Sequence, residues 1–248
     1  MELIIAILPV ILLCIYIFIK DYHKEPFNML AITILCGALS VIPTLACELF
    51  LGSRFNLHSD NFVELFFIIL FCIAIIEEFF KWLVIYTISF NNKEMDETFD
   101  GIVYAVFSSL GFALVENILY VMEGGIGTGI MRAIISIPGH ASYGVIMGYF
   151  ISQAKVAKVN DDRKKTVRNL LLSISVPTLI HAIYDFLLST PQEQFQSFYV
   201  YIFLIFILSL YTFCIELINK MAGKERNIFF RKRRPHPERI MINSVNNQ

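Results

Sequence analysis

Ile76-Glu77-Glu78-Phe79-Phe80-Lys81-Trp82 sets three ionisable side chains in the middle of an apolar run from about Phe62 to Phe90. At ~1.5 Å per residue, a helix over that run crosses the ~30 Å hydrocarbon core of a bilayer, with Glu77 close to mid-depth. A charge there costs roughly 2.5 to 3.5 kcal/mol even on the lenient insertion scales, so it turns toward a bundle interior or a water-filled cavity. Glu77 and Lys81 are four apart and Glu78 and Lys81 three apart, so one helix face brings both carboxylates to the same ammonium. The plain reading is a structural ion pair that locks two helices. Against it, one lysine cannot neutralise two glutamates, and a surplus carboxylate held away from water is the kind of group that serves as a general acid or base.

Outward from that stretch the chain reads as a membrane protein throughout. With 248 residues and 56% hydrophobic content and a mean hydropathy of +0.65, it has too little polar sequence for a separate soluble domain. Hydropathy predicts an all-α bundle of seven spans, at about 3–19, 28–50, 62–90, 100–122, 130–152, 169–189 and 198–219. Cys14, Cys36, Cys47, Cys72 and Cys214 are scattered singly through these runs with no CxxC pair. They read as packing residues, neither disulfides nor metal ligands.

Basic residues set the expected orientation. Lys20, Lys24 and Lys93, six more from Lys155 to Arg168 and eight from Lys220 to Arg239 fall on one side, against Arg54 and Arg132 on the other. Seventeen against two is a strong positive-inside signal, predicting an outside N-terminus and a cytoplasmic C-terminus. The first apolar run has no basic residue before it, so it reads as an uncleaved anchor. This gives one transmembrane domain over residues 1–220 and a basic cytoplasmic tail over 221–248. Beside a membrane, Arg231-Lys232-Arg233-Arg234 reads as a contact for anionic lipid heads rather than a nucleic-acid patch.

Three further spans carry polar residues. In GIVYAVFSSLGFALVENILY, Gly101, Ala105, Ser109 and Ala113 recur every fourth residue, a small-residue stripe that lets helix backbones approach closely. Glu116 and Asn117 follow it, with Phe112 one turn before Glu116. His140, Gly144 and Gly148 repeat the spacing just after Pro138, whose missing N–H leaves the Ile134 carbonyl unpaired. Ser173, Pro177, His181 and Asp185 form one polar stripe on an otherwise apolar helix, on which His181 and Asp185 can touch. Either histidine alone reads as a satisfied packing residue, but ionisable groups in four consecutive spans are explained more simply by one shared buried site. Counting back from the span ends places that site in the outer half of the membrane.

The set holds acids, imidazoles, an amide and an ammonium, but no serine in a nucleophile elbow, no Gly-rich phosphate loop and no HExxH. Hydrolysis by such a set would go through water: a glutamate takes the proton while His181 and a neighbouring donor stabilise the oxyanion.

Glu-Glu-x-x-Lys at Glu77, Glu78 and Lys81, Phe-x-x-x-Glu-Asn at Phe112, Glu116 and Asn117, the isolated His140, and His-x-x-x-Asp at His181 and Asp185 together resemble the PrsW family. These are multi-pass bacterial membrane proteases distantly related to the CAAX prenyl endopeptidases. The resemblance covers roughly residues 75 to 190. It implies a site-1 cut in a single-pass membrane anti-sigma factor on its extracytoplasmic side, in the bacterial cell membrane. By the same likeness Glu77 is the water-activating base, Glu78 its partner and His181 an oxyanion donor, with Glu116 and His140 catalytic and Lys81, Asn117, Asp185 and Phe112 supporting. Two departures from the CAAX endopeptidases stand out: their Glu-Glu-x-x-x-Arg is here Glu-Glu-x-x-Lys, and their Phe-x-x-x-His is here Phe-x-x-x-Glu. Either His140 supplies the missing imidazole, or the acid-rich set holds a metal.

The expected chemistry needs no cofactor. The metal alternative is zinc on Glu78, Glu116, His140, His181 and Asp185, mixed N/O ligands with room for a water. A non-enzymatic alternative is a proton-coupled transporter, which also needs buried acids and histidines, although no internal repeat is evident.

Overall fold

A computed structural model describes residues 2–54, 59, 61–189 and 196–232, and within them every regular element is helical. In order these are α1 (Glu2–Lys20), α2 (Phe27–Leu39), α3 (Val41–Gly52), α4 (Phe62–Ile69), a π-helical turn (Leu70–Ala74), α5 (Ile75–Ile88), α6 (Asp100–Ile134), α7 (Ser136–Val159), α8 (Arg163–Ser189) and α9 (Gln196–Lys232). Five described stretches are long and apolar enough to cross a membrane: α1, Phe27–Gly52, Asp100–Val159, α8, and Phe198–Gly223 within α9.

Prolines and one glycine explain where these stretches break. Pro43 cannot bond the Leu39 carbonyl, and α2 ends at Leu39; Pro138 cannot bond the Ile134 carbonyl, and α6 ends at Ile134. Inside α6, Gly125 has φ 74°, a conformation open to glycine and strained for residues with a Cβ. The backbone folds back there, so that a Cβ on Gly129 would lie 3.0 Å from the Val121 side chain.

The expected span 28–50 is broken into α2 and α3, and two further elements differ from the sequence expectation. The run from Phe62 to Phe90, read as one straight helix, is α4 and α5 joined by the π turn. Such a turn holds an extra residue and rotates the helix that follows, and it occurs often at functional sites. The last helix, expected to stop near residue 219, continues to Lys232. Residues 233–248, with Arg233, Arg234 and Arg239 of the expected lipid-binding tail, lie outside the described residues.

The middle of the bundle is α6, buried at every residue from Asp100 to Ala113, as expected of a helix without a polar face. Helices α1, α2, α5 and α7 pack around it. The small-residue stripe sits at the α6–α7 crossing: a Cβ on Gly148 would collide with the Gly101 carbonyl and lie 2.5 Å from the Ile102 Cα. On the other side Phe62 and Phe66 of α4 meet Phe186 of α8 edge-on, at 6.3 and 5.7 Å between ring centroids. The polarity is inverted relative to a water-soluble fold. Leucine, isoleucine and phenylalanine of α1 and α9 face outward, while Glu77, Glu78, Lys81, His140 and His181 are buried.

Candidate active site

The first turn of α5 supplies the centre. Glu78 and Lys81 are wholly enclosed. The Lys81 ammonium donates to Glu78 Oε1 at 2.8 Å and to Glu77 Oε2 at 3.1 Å. It also lies 3.0 Å from His140 Nδ1 and 4.2 Å from the centre of the Phe112 ring, a cation over an aromatic face. The register of α5 is held at both sides of this group. Trp82 Nε1 donates to Ser173 Oγ at 2.9 Å, and Ser108 Oγ donates to the Lys81 carbonyl at 3.1 Å.

Helices α6, α7 and α8 complete the cluster. His140 joins Lys81 to Glu116, its Nε2 lying 2.8 Å from Glu116 Oε2. His181 lies between two carboxylates, Nδ1 3.0 Å from Glu78 Oε1 and Nε2 3.2 Å from Asp185 Oδ2. The Tyr143 ring stacks on it at 4.7 Å and 22°. Two motifs from different helices therefore share the Glu-Glu-x-x-Lys turn: His140 contacts its ammonium and His181 one of its carboxylates.

A cavity of about 360 Å³ opens beside this cluster. Of the residues picked out from sequence, Glu77, Glu116, His140, His181 and Asp185 line it. Glu78, Lys81 and Phe112 stand behind that wall. Asn117 does not reach the carboxylates at all: its Nδ2 donates to the Ala6 carbonyl at 3.0 Å, tying α6 to α1, and its Oδ1 accepts from Arg132 Nε at 3.0 Å.

Arg132 is the main residue the sequence reading missed, having counted it only as an outward-facing charge. The turn at Gly125 returns it to the cavity wall, where its Nη2 pairs with Glu116 Oε2 at 2.8 Å and its guanidinium lies over Tyr120 at 4.0 Å. Tyr143 and Tyr184 also line the cavity, and each has a buried hydroxyl with no hydrogen-bond partner among the described residues. A signal for both was present, since each follows a site histidine by three residues, His140-x-x-Tyr143 and His181-x-x-Tyr184. Glu48 of α3 adds a carboxylate near enough for the charges of Glu77, Glu116, Lys81 and His181 to act on it.

The metal-ligand set read from sequence is not the set the fold brings together. Among the described residues, Glu77, Glu78 and His181 offer ligand atoms within 4.8 Å of one another. Glu116 and His140 are instead paired with Arg132 and Lys81, and Asp185 faces the far nitrogen of His181. Glu78 Oε2 is buried without a hydrogen-bond partner among the described residues. Three N/O donors with one unused carboxylate oxygen fit a divalent ion. The Lys81 ammonium already neutralises part of that charge.

A family model described as "PrsW family intramembrane metalloprotease" matches residues 25–211. The chain is similar to "Protease PrsW" of Oceanobacillus iheyensis, 38% identical over 83% of this chain and 91% of that protein. It is similar also to "Protease PrsW" of Bacillus subtilis, 33% identical over 87% of this chain and 93% of that protein. The corresponding protein of Clostridioides difficile is 30% identical over 91% of this chain and 93% of its own length. No solved structure matches the chain.

Proposed function

Because the chain belongs to the PrsW family of intramembrane proteases, and is therefore a membrane-embedded peptidase, we propose that it hydrolyses its substrate with water activated by Glu77. The observation that carries this is the division of labour in the glutamate pair. Glu77 lines the cavity, while Glu78 is sealed behind it and held by Lys81 and His181. The Glu77 carboxylate takes a proton from water as the water oxygen attacks the peptide carbonyl carbon. It then returns that proton to the amide nitrogen as the C–N bond breaks. His181 Nε2, held by Asp185 at 3.2 Å before substrate enters, turns its N–H from that carboxylate to the developing oxyanion, and the unpartnered Tyr143 hydroxyl is the neighbouring donor. His140 supplies the imidazole that the Glu116 substitution displaces, placed between Glu116 and Lys81.

The name of the matching family model supports a second reading, in which Glu77, Glu78 and His181 hold a divalent ion. Such an ion would supply Lewis-acid polarisation of the substrate carbonyl. The Lys81 ammonium, 3.1 and 2.8 Å from the same two carboxylates, favours the metal-free form by supplying a cation of its own. Purified active protein treated with a strong chelator decides between them: activity survives in the metal-free form. Loss of activity that zinc restores, together with stoichiometric zinc that H181A no longer holds, would reverse the assignment.

The proposed substrate is a single-pass membrane anti-sigma factor, cut at site 1 on its extracytoplasmic side in a bacterial cell membrane. An apolar cavity rim of Ile69, Ile73, Ile135 and Leu188 suits a segment arriving from the hydrocarbon. The proposed topology is seven crossings with the N-terminus outside and the C-terminus cytoplasmic. Its support is that Asp100–Val159, 60 residues long, exceeds the ~20 of one crossing and folds back at Gly125, and that α4 to α5 runs unbroken through the π turn. Residues 1–220 would then form the protease domain and 221–248 a tail that contacts anionic lipids and no nucleic acid.

A further inference from the structure

At the opposite end of the bundle from the carboxylate cavity, the last turns of α7 and the first turns of α8 enclose a second hollow of about 340 Å³. Asn169, on its wall, is 7% exposed, and its side chain has no hydrogen-bond partner among the described residues. The half-buried Gln153 amide opposite it has none either. Arg168 forms no ion pair among the described residues, although its charge acts on Asp162. Lys165 is paired with Asp162 at 2.9 Å, and the hydrogen bond from Lys165 holds the Asp162 carboxyl below the usual carboxylate range. Asp162 Oδ1 also accepts from the Lys165 backbone N–H at 3.0 Å, capping α8.

The hollow carries two cations, Lys165 and Arg168, against one carboxylate, Asp162. The Asn169 and Gln153 amides open onto the hollow and are free to donate, and two such amides beside an unpaired guanidinium match an anion with several oxygens, above all a phosphate. The rest of the wall is Tyr149, Phe150, Val156 and Leu172, and the surface continues outward through Val167 and Leu171, both exposed. A free phosphate would leave that apolar side unused, whereas a phosphate esterified to a lipid would lay its chains along it. We propose that this hollow binds the phosphate headgroup of an anionic phospholipid, with Arg168, Asn169 and Gln153 as donors. It is a built site, distinct from diffuse attraction to the basic tail. On α8, Asn169 is twelve residues from His181, ~18 Å along the axis, so the lipid stays clear of the catalytic group.

The test uses full-length protein in an uncharged detergent, given phosphatidylglycerol and phosphatidylcholine of matched chains, with bound lipid counted by native mass spectrometry. Phosphatidylglycerol is expected to be retained in preference, and R168Q, at an exposed position, to lower its affinity about fivefold. N169L should lower it comparably with net charge unchanged, and Q153L carries the same test should N169L fail to accumulate. Melting temperature in lipid-free detergent should not move in R168Q. Equal retention of the two lipids, an unaffected R168Q, or amide variants that bind normally would overturn the built site. Displacement by millimolar inorganic phosphate would overturn the lipid as its occupant.

Discussion

Glu77 and Glu78 are neighbours in sequence, and the fold gives them different surroundings. Glu77 meets the cavity, and among the described residues the Glu78 carboxylate bonds only Lys81 and His181. Glutamine at either position nearly keeps the shape while removing ionisation. E77Q should slow cleavage by on the order of 10²- to 10⁴-fold, the share of a general base, and E78Q should stop it by releasing the lysine and histidine that frame the site. Both proteins should still accumulate in membranes. The readout is the clipped extracytoplasmic domain of a co-expressed single-pass anti-sigma factor. Normal cleavage by both variants would reduce the pair to a structural role. K81M acts on stability first. It leaves two enclosed carboxylates without their cation, a change on the order of 3–5 kcal/mol, so immunoblots should show a reduced protein level before any assay of activity. Unchanged accumulation of K81M would mean that the ammonium does not hold these helices.

Helix packing here depends on backbone contact where side chains are absent. Gly148 faces the Gly101 carbonyl and the Ile102 Cα, so G148L must push α7 off α6 and with it His140 off Lys81. The expected cost is on the order of 3 kcal/mol or more, read as a lower melting temperature in detergent together with lost cleavage; a variant that melts normally would contradict the close crossing. That crossing was legible in the four-residue stripe from Gly101 to Ala113, as were the helix ends at Leu39 and Ile134, because small residues and prolines act locally. The π turn at Leu70–Ala74 was not legible: Leu-Phe-Cys-Ile-Ala has no proline, glycine or polar residue to mark it. Arg132 was missed for a related reason. Its place beside Glu116 depends on a reversal at Gly125, seven residues earlier, and nothing in the hydropathy distinguishes a segment that turns back from one that leaves the membrane. His140 was found in the small-residue stripe it shares with Gly144 and Gly148 and His181 in the polar stripe of its own helix, and Glu48 was overlooked because it stands alone in its span.

At the scale of the whole molecule, one end of the bundle gathers the basic connections. Lys20 at the end of α1 donates to Asn219 Oδ1 of α9 at 2.7 Å. Lys155 of α7 donates to the Phe90 and Asn92 carbonyls at 2.8 and 3.0 Å, and Lys158 to Asn91 Oδ1 at 2.6 Å. Tyr104 near the start of α6 reaches Glu25 in the α1–α2 connection, so these contacts share one end. Arg132 and the carboxylate cavity lie toward the other. Lys20, Lys155 and Lys158, far apart in sequence, thus meet at one end of the bundle, the end that the positive-inside expectation assigns to the cytoplasm. A reporter active only outside the cytoplasm should therefore be silent when fused after Gln248 and active when inserted between Pro191 and Ser197. Both fusions should retain the protein in membranes and cleavage of the substrate, which shows that the insertion has not inverted the chain. The reverse pattern of signals would place the cavity toward the cytoplasm, where it could not make an extracytoplasmic cut.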